Sequence, residues 1–105
     1  MKSISPESYA ELALHGSAPS LIDVRDPEEV RFVRIANSIP IPLQQWPGGI
    51  EGLDRAGSYV VHCHHEARAL AAAQYMVRVG FSDVGVMEGG IDAWAQRIDP
   101  TMPRY

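Results

Sequence analysis

Residues 58–79, SYVVHCHHEARALAAAQYMVRV, decide the fold because they change from strand to helix around the one cysteine of the chain. The segment 58–62 has aromatic and β-branched residues at its centre, which is typical of a buried strand. Alanines and spaced apolar side chains then indicate a helix over about 67–79, and Gly80 is placed to end it. Cys63 is therefore predicted to lie on a turn between a strand and a helix.

The segments on either side of this unit also alternate between strand and helix. Apolar runs predict strands, and a capping residue followed by Pro and acidic residues predicts helix starts. The alternation of Pro with apolar residues at 38–43 forces an extended path that cannot lie in the middle of a sheet. Helices are predicted over 6–14 and 91–95, and a further helix is predicted to begin after Asp26, with Glu29 in the capping-box position. Strands are predicted over 21–24 and 84–87.

Strands that alternate with helices indicate an α/β fold, with a largely parallel sheet covered by helices on both faces. The 105 residues are enough for one compact core, so a single domain is predicted over residues 1–105. In folds of this class, ligands bind beyond the carboxyl ends of the strands. Cys63 is predicted at such an end and is the first candidate for a functional side chain.

Composition excludes several classes of function. Charged residues make up 21% and the net charge is −4, with no basic stripe that would neutralise a nucleic-acid backbone. No apolar run approaches the ~20 residues of a membrane span, and the N-terminus lacks the apolar core of a signal peptide. With a single cysteine there is no internal disulfide. We expect a cytoplasmic protein with neither nucleic-acid nor membrane partners.

The predicted turn from Cys63 to Arg68 has the chemistry of an anion site. A thiol at a helix N-terminus faces the positive end of the helix dipole and unpaired backbone N–H groups, which favour its thiolate. If the turn curls so that successive N–H groups point inward, these groups form a cradle, and Arg68 adds a cation with fork geometry. Such a cradle would hold an anionic sulfur or a small oxyanion.

Four segments carry a resemblance to a known family. One strand ends in Asp23-Val-Arg25, residues 39–42 read Ile-Pro-Ile-Pro, a second strand runs into CHHEAR at 63–68, and residues 89–94 read GGIDAW. In this order, over nearly the whole chain, they resemble the rhodanese-like family. The resemblance implies a three-layer α/β fold with a central, mostly parallel sheet.

The resemblance also implies a sulfurtransferase. Cys63 would be the catalytic nucleophile and would carry sulfur as a persulfide from a donor, such as thiosulfate or a protein persulfide, to cyanide or a thiol. No cofactor and no metal are implied. The residues implied for substrate binding are His64, His65, Glu66, Ala67 and Arg68, and those implied for loop support are Asp23 and Arg25.

The chain departs from the family pattern inside the loop. Glu66 stands where the family commonly has Gly, and Ala69 where it has Ser or Thr; Val33-Arg34-Ile35 replaces a frequent Gly-His-Ile. A carboxylate beside an anion site disfavours both a thiolate and an anionic donor. It would also be strained if the position needs a positive φ. The alternative prediction is a catalytically weak binding or regulatory module with the same fold.

Three other interpretations of Cys63 are weaker. A structural buried thiol does not explain Arg68 or the matching segments. Zinc is disfavoured because neighbouring residues of an extended segment point to opposite sides, and the histidines lack the spaced pairs of structural zinc sites. Phosphatases with a cysteine and an arginine in one loop have one more residue between them than the four found here.

Overall fold

The computed structural model describes residues 1–105 and contains one parallel sheet with helices on both faces. The strands are β1 (Lys2–Ile4), β2 (Ser20–Asp23), β3 (Ile39–Pro40), β4 (Ser58–His62) and β5 (Asp83–Met87). The helices are α1 (Pro6–Leu14), α2 (Pro27–Phe32), α3 (Ala67–Arg78) and α4 (Gly90–Arg97). The strands are ordered β1-β5-β4-β2-β3 and every neighbouring pair is parallel. The predicted α/β fold is confirmed.

Two details differ from the sequence prediction. The edge strand β1 was not predicted; its three residues show no apolar pattern and pair through the backbone with β5. Helix α4 runs to Arg97 rather than ending at residue 95. The Pro-containing segment forms β3, which lies at the opposite edge of the sheet, as its missing N–H groups require.

The predicted helix signals act as expected. The side chain of Ser5 accepts a hydrogen bond from the Ser8 N–H at 3.1 Å and caps α1. Helix α1 ends at Leu14, and Gly16, just after the C-cap residue His15, has a φ of +70°, a left-handed conformation that glycine adopts freely. At α2, the Glu29 carboxylate accepts from the Asp26 N–H at 3.0 Å, which is half of the capping box.

Alternation along β4 divides the core between the two faces of the sheet. Tyr59 and Val61 point to a cluster that includes α3, whereas Val60 points to a second cluster that includes Tyr9 of α1 and Ile91 of α4. Because the strands are parallel, their carboxyl ends meet at one edge, where Asp23 of β2 pairs in register with His62 of β4. None of the helices is long and apolar enough to cross a membrane.

Candidate functional site

Cys63 follows β4 directly and lies against the first turn of α3. Its side chain is buried, with 1% of the residue exposed. The backbone N–H of Ala69, in the first turn of α3, points at Sγ with an N to S distance of 3.4 Å. Cys63 thus lies between a strand and a helix, as predicted, and the N-terminus of α3 faces its sulfur as the sequence indicated.

The turn after Cys63 presents unpaired amides. The five consecutive backbone N–H groups from His64 to Arg68 donate to no acceptor within the protein. Unpaired N–H groups at a helix start form an anion-binding surface. This part of the predicted cradle therefore has free donors in the same turn as the thiol.

Helix α4 holds the carbonyl side of the same turn. The Ile91 N–H donates to the Cys63 carbonyl at 2.9 Å, and the Asp92 N–H donates to the His64 carbonyl at 3.1 Å. Gly90 has a φ of +59°, and a Cβ there would lie 2.4 to 2.6 Å from the carbonyl oxygens of Cys63, His64 and His65. The Gly-Gly-Ile-Asp segment thus allows α4 to approach the turn closely enough to fix it.

Glu66 is not strained, and its exposed side chain is held in place by a hydrogen bond. Its φ is −141°, so the position does not require glycine. The carboxylate accepts a hydrogen bond from the Gly89 N–H at 2.8 Å and ties the start of α3 to the start of α4. The strain considered from the sequence is therefore absent, whereas the negative charge next to the turn remains.

Arg68 is engaged by a carboxylate that the sequence did not connect to it. Its two terminal nitrogens donate to the two carboxylate oxygens of Glu29 at 2.6 and 3.0 Å. The hydrogen bonds from Arg68 lower the pKa of Glu29 to about 2, and Glu29 in turn raises the pKa of Arg68. The sequence placed Glu29 only in the capping-box position of α2, whereas its side chain is 18% exposed and also closes this ion pair.

Tyr105 is a second residue that sequence reasoning missed. Its hydroxyl donates to Glu29 at 2.7 Å and accepts from Arg25 at 3.0 Å. Its ring stacks on the His64 ring with centroids 4.0 Å apart and planes at 10°. Burial raises the pKa of the Tyr105 phenol to about 12, so it stays protonated and can donate. No pattern in the sequence pointed to this residue.

Asp23 and Arg25 form a buried ion pair at the end of β2. Both are fully buried, and their closest oxygen and nitrogen atoms lie 2.7 Å apart. Burial alone would lower the pKa of Arg25, but hydrogen bonds to Asp23 and Tyr105 outweigh it and raise that pKa. Arg25 also donates to the Val33 carbonyl at 2.7 Å. The pair reaches the cysteine turn through Tyr105 rather than by direct hydrogen bonds.

The predicted loop residues differ in their surroundings. Ala67 is exposed and begins α3, His65 is exposed, and His64 is half-buried under Tyr105. His64, His65 and Asp92 each bring one possible metal-ligating atom within 4.8 Å of the others. The sequence spacing did not include Asp92, which comes from α4. The Asp92 carboxylate is already bonded to Arg104, at 3.0 and 3.3 Å.

Comparison with known proteins identifies the family. The rhodanese-like domain description matches residues 5–97. The chain is 36% identical over 93 residues to the thiosulfate sulfurtransferase GlpE of Pseudomonas fluorescens, covering 89% of this chain and 84% of that protein. It is also 35% identical over 104 residues to the probable adenylyltransferase/sulfurtransferase MoeZ of Mycobacterium tuberculosis. That match covers 97% of this chain but only 26% of the longer protein.

Solved structures agree with this result. A rhodanese-like domain protein from Staphylococcus aureus superposes with a TM-score of 0.85 at 26% identity, covering 100% of this chain and 99% of that one. A rhodanese-related protein from Thermoplasma volcanium gives a TM-score of 0.84 at 33% identity, with coverage of 93% and 94%. The chain therefore belongs to the rhodanese-like domain family.

Proposed function

We propose that this protein is a sulfurtransferase in which Cys63 carries sulfur as a persulfide. Relatives named thiosulfate sulfurtransferase support a rhodanese-type sulfurtransferase in general terms. The observation that carries the specific proposal is the position of the Cys63 sulfur at the start of α3, beside five unpaired amides. These N–H donors can stabilise a persulfide anion, which is longer than a thiolate by one sulfur atom.

The proposed reaction has two displacement steps. The Cys63 thiolate attacks the outer sulfur of thiosulfate, the sulfur–sulfur bond of the donor breaks, and sulfite leaves with the electron pair. The cysteine then holds the persulfide anion among the loop N–H groups of residues 64–68. An acceptor such as cyanide or a thiolate attacks the outer sulfur and takes it away, which regenerates the Cys63 thiolate. A protein persulfide is a second kind of donor, and neither step uses a metal or cofactor.

The test is the mass of the intact protein. Wild type mixed with thiosulfate should gain the mass of one sulfur atom and should lose it again, with formation of thiocyanate, when cyanide is added. Cys63→Ala should do neither. If the wild type gains no sulfur and forms no thiocyanate, the sulfurtransferase proposal is wrong.

A second candidate function is a binding or regulatory module that transfers sulfur poorly. Two observations favour it: only 1% of Cys63 is exposed, and the one arginine of the turn is already paired with Glu29. Glu66→Gly separates the candidates, because it removes a carboxylate from the edge of the site. A large rise in thiocyanate formation would show that the natural turn is compromised and would favour the module, whereas an unchanged rate would favour the enzyme.

A further inference from the structure

The cations around the cysteine turn are all neutralised by carboxylates. Arg68 is paired with Glu29 at 2.6 Å, Arg25 with Asp23 at 2.7 Å, and Arg104 with Asp92 at 3.0 Å. Glu66 adds a carboxylate that has no basic partner. An anionic donor that approaches Cys63 therefore meets free backbone N–H groups but no free guanidinium group.

The Arg68 ion pair is held in place by more than its two charges. Both oxygens of Glu29 are used by Arg68, and one of them also accepts from the Tyr105 hydroxyl at 2.7 Å. Arg25 fixes that hydroxyl in turn at 3.0 Å. Tyr105 lies beyond the family match, which ends at residue 97, so this support comes from a segment outside the matched domain.

We propose that Glu29, supported by Tyr105, is a specificity-determining residue that selects persulfide donors over thiosulfate by withholding the Arg68 charge from the site. The inference rests on the proposed function and names its donor class. Thiosulfate brings two negative charges to the reacting sulfurs, so it gains most from a free guanidinium group. A persulfide brings at most one.

The persulfide reaction needs no other reactant. The Cys63 thiolate attacks the outer sulfur of R–S–SH, the sulfur–sulfur bond of the donor breaks, and the R–S⁻ thiolate leaves with the electron pair. The outer sulfur keeps its proton, so Cys63 becomes a persulfide, Cys–S–SH. One negative charge is present before and after the step, and no oxidant or reductant is consumed.

Glu29→Gln tests the proposal directly, because the amide keeps the shape of the side chain and can still accept from the Asp26 N–H. We expect kcat/KM for thiosulfate to rise about fivefold, which is the effect of one partly exposed charge contact. The rise should come from a lower KM. The kcat/KM for glutathione persulfide should change less than twofold. Tyr105→Phe, which removes one hydrogen bond from Glu29, should raise the thiosulfate value by about twofold.

Glu28→Gln is the matched control, because Glu28 lies next to Glu29, is exposed, and forms no ion pair. It makes the same change in net charge and should leave both donors unaffected. In Glu29→Gln/Arg68→Gln the gain with thiosulfate should disappear, since no freed guanidinium remains.

The results separate this inference from the proposed function. Wild type that forms a Cys63 persulfide while Glu29→Gln changes neither donor, or both equally, would overturn the role of Glu29 and leave the sulfurtransferase intact. The same holds if Glu28→Gln gives an equal gain or if the gain survives without Arg68. Wild type that forms no persulfide from either donor would overturn both.

Discussion

At the scale of single residues, Glu66 shows how a departure from the family pattern is accommodated. Its φ is −141°, which is negative, so the loop does not depend on a left-handed residue at this position. Its carboxylate also has a structural role, because it accepts from the Gly89 N–H and joins the first turn of α3 to the turn before α4. The side chain therefore has both a cost, as a negative charge near the site, and a function, as a link.

We predict that Glu66→Gly destabilises the protein although glycine is the usual family residue. The change removes the hydrogen bond to Gly89 and relieves no strain, so the free energy of unfolding should fall by about 1 kcal/mol. Urea denaturation measures this value. Glu66→Gln is the control, because its amide oxygen can still accept, and it should lose less than half as much. A more stable Glu66→Gly protein would contradict the link.

The residues of the site were predictable only where the chain itself brings them together. Cys63 and Arg68 belong to one strand-to-helix turn, so their spacing contained the information. Glu29 meets Arg68 across 39 positions and Tyr105 meets Glu29 across 76. Such pairs depend on how α2 and the C-terminal segment pack, and local pattern carries no signal for that. Glu29 was correctly predicted as a capping residue, but its second partner was not.

At the scale of elements, the site depends on the contact between α4 and the cysteine turn. The first N–H groups of α4 have no partner within their own helix, and the carbonyls of Cys63 and His64 supply partners for two of them. The contact is possible only because Gly90 has no side chain. The turn is thus held on its carbonyl side, which leaves its own N–H groups free.

We predict that Gly90→Ala strongly disturbs this contact. The alanine would combine a φ of +59° with a Cβ about 2.5 Å from three carbonyl oxygens, so the turn or α4 must shift. Gly16→Ala is the matched control, because Gly16 also has a positive φ, +70°, but has open space around it. The control should lose about 1–2 kcal/mol of unfolding free energy. Gly90→Ala should lose at least about 2 kcal/mol more by urea denaturation, and equal losses would contradict the close approach.

Among the elements, those with a pattern of their own were predictable from sequence. Strand β4 and helix α3 were identified to within a residue or two, because apolar alternation and alanine content are local signals. Strand β1 has only three residues, of which two are exposed, and exists because the edge of β5 offers backbone partners. Its formation depends on tertiary pairing, which the pattern of three residues does not reveal.

At the scale of the whole molecule, the sheet places a histidine where water cannot reach it. His62 is fully buried at the end of β4, directly before Cys63. Its Nδ1 lies 3.3 Å from the Cys63 carbonyl oxygen, and its Nε2 lies 3.7 Å from the Asp23 carboxylate and has no hydrogen-bond partner. Burial lowers the pKa of His62; Asp23 opposes this shift and Arg25 adds to it. In the folded protein, the His62 imidazole therefore stays neutral at pH values at which an exposed histidine becomes protonated.

This burial makes the stability of the whole domain depend on pH. Below about pH 6.5 the unfolded chain binds a proton at His62 that the folded protein does not bind, so the free energy of unfolding should fall as the pH is lowered from 7 towards 5. The limiting slope for one proton is about 1.4 kcal/mol per pH unit. Urea denaturation across this range measures the slope, before the Glu29 carboxylate begins to titrate at lower pH. His62→Asn should flatten the dependence, while His15→Asn, at an exposed histidine, should leave it unchanged. A slope that survives in His62→Asn would assign the titration to another group and would show that His62 is not held neutral by the fold.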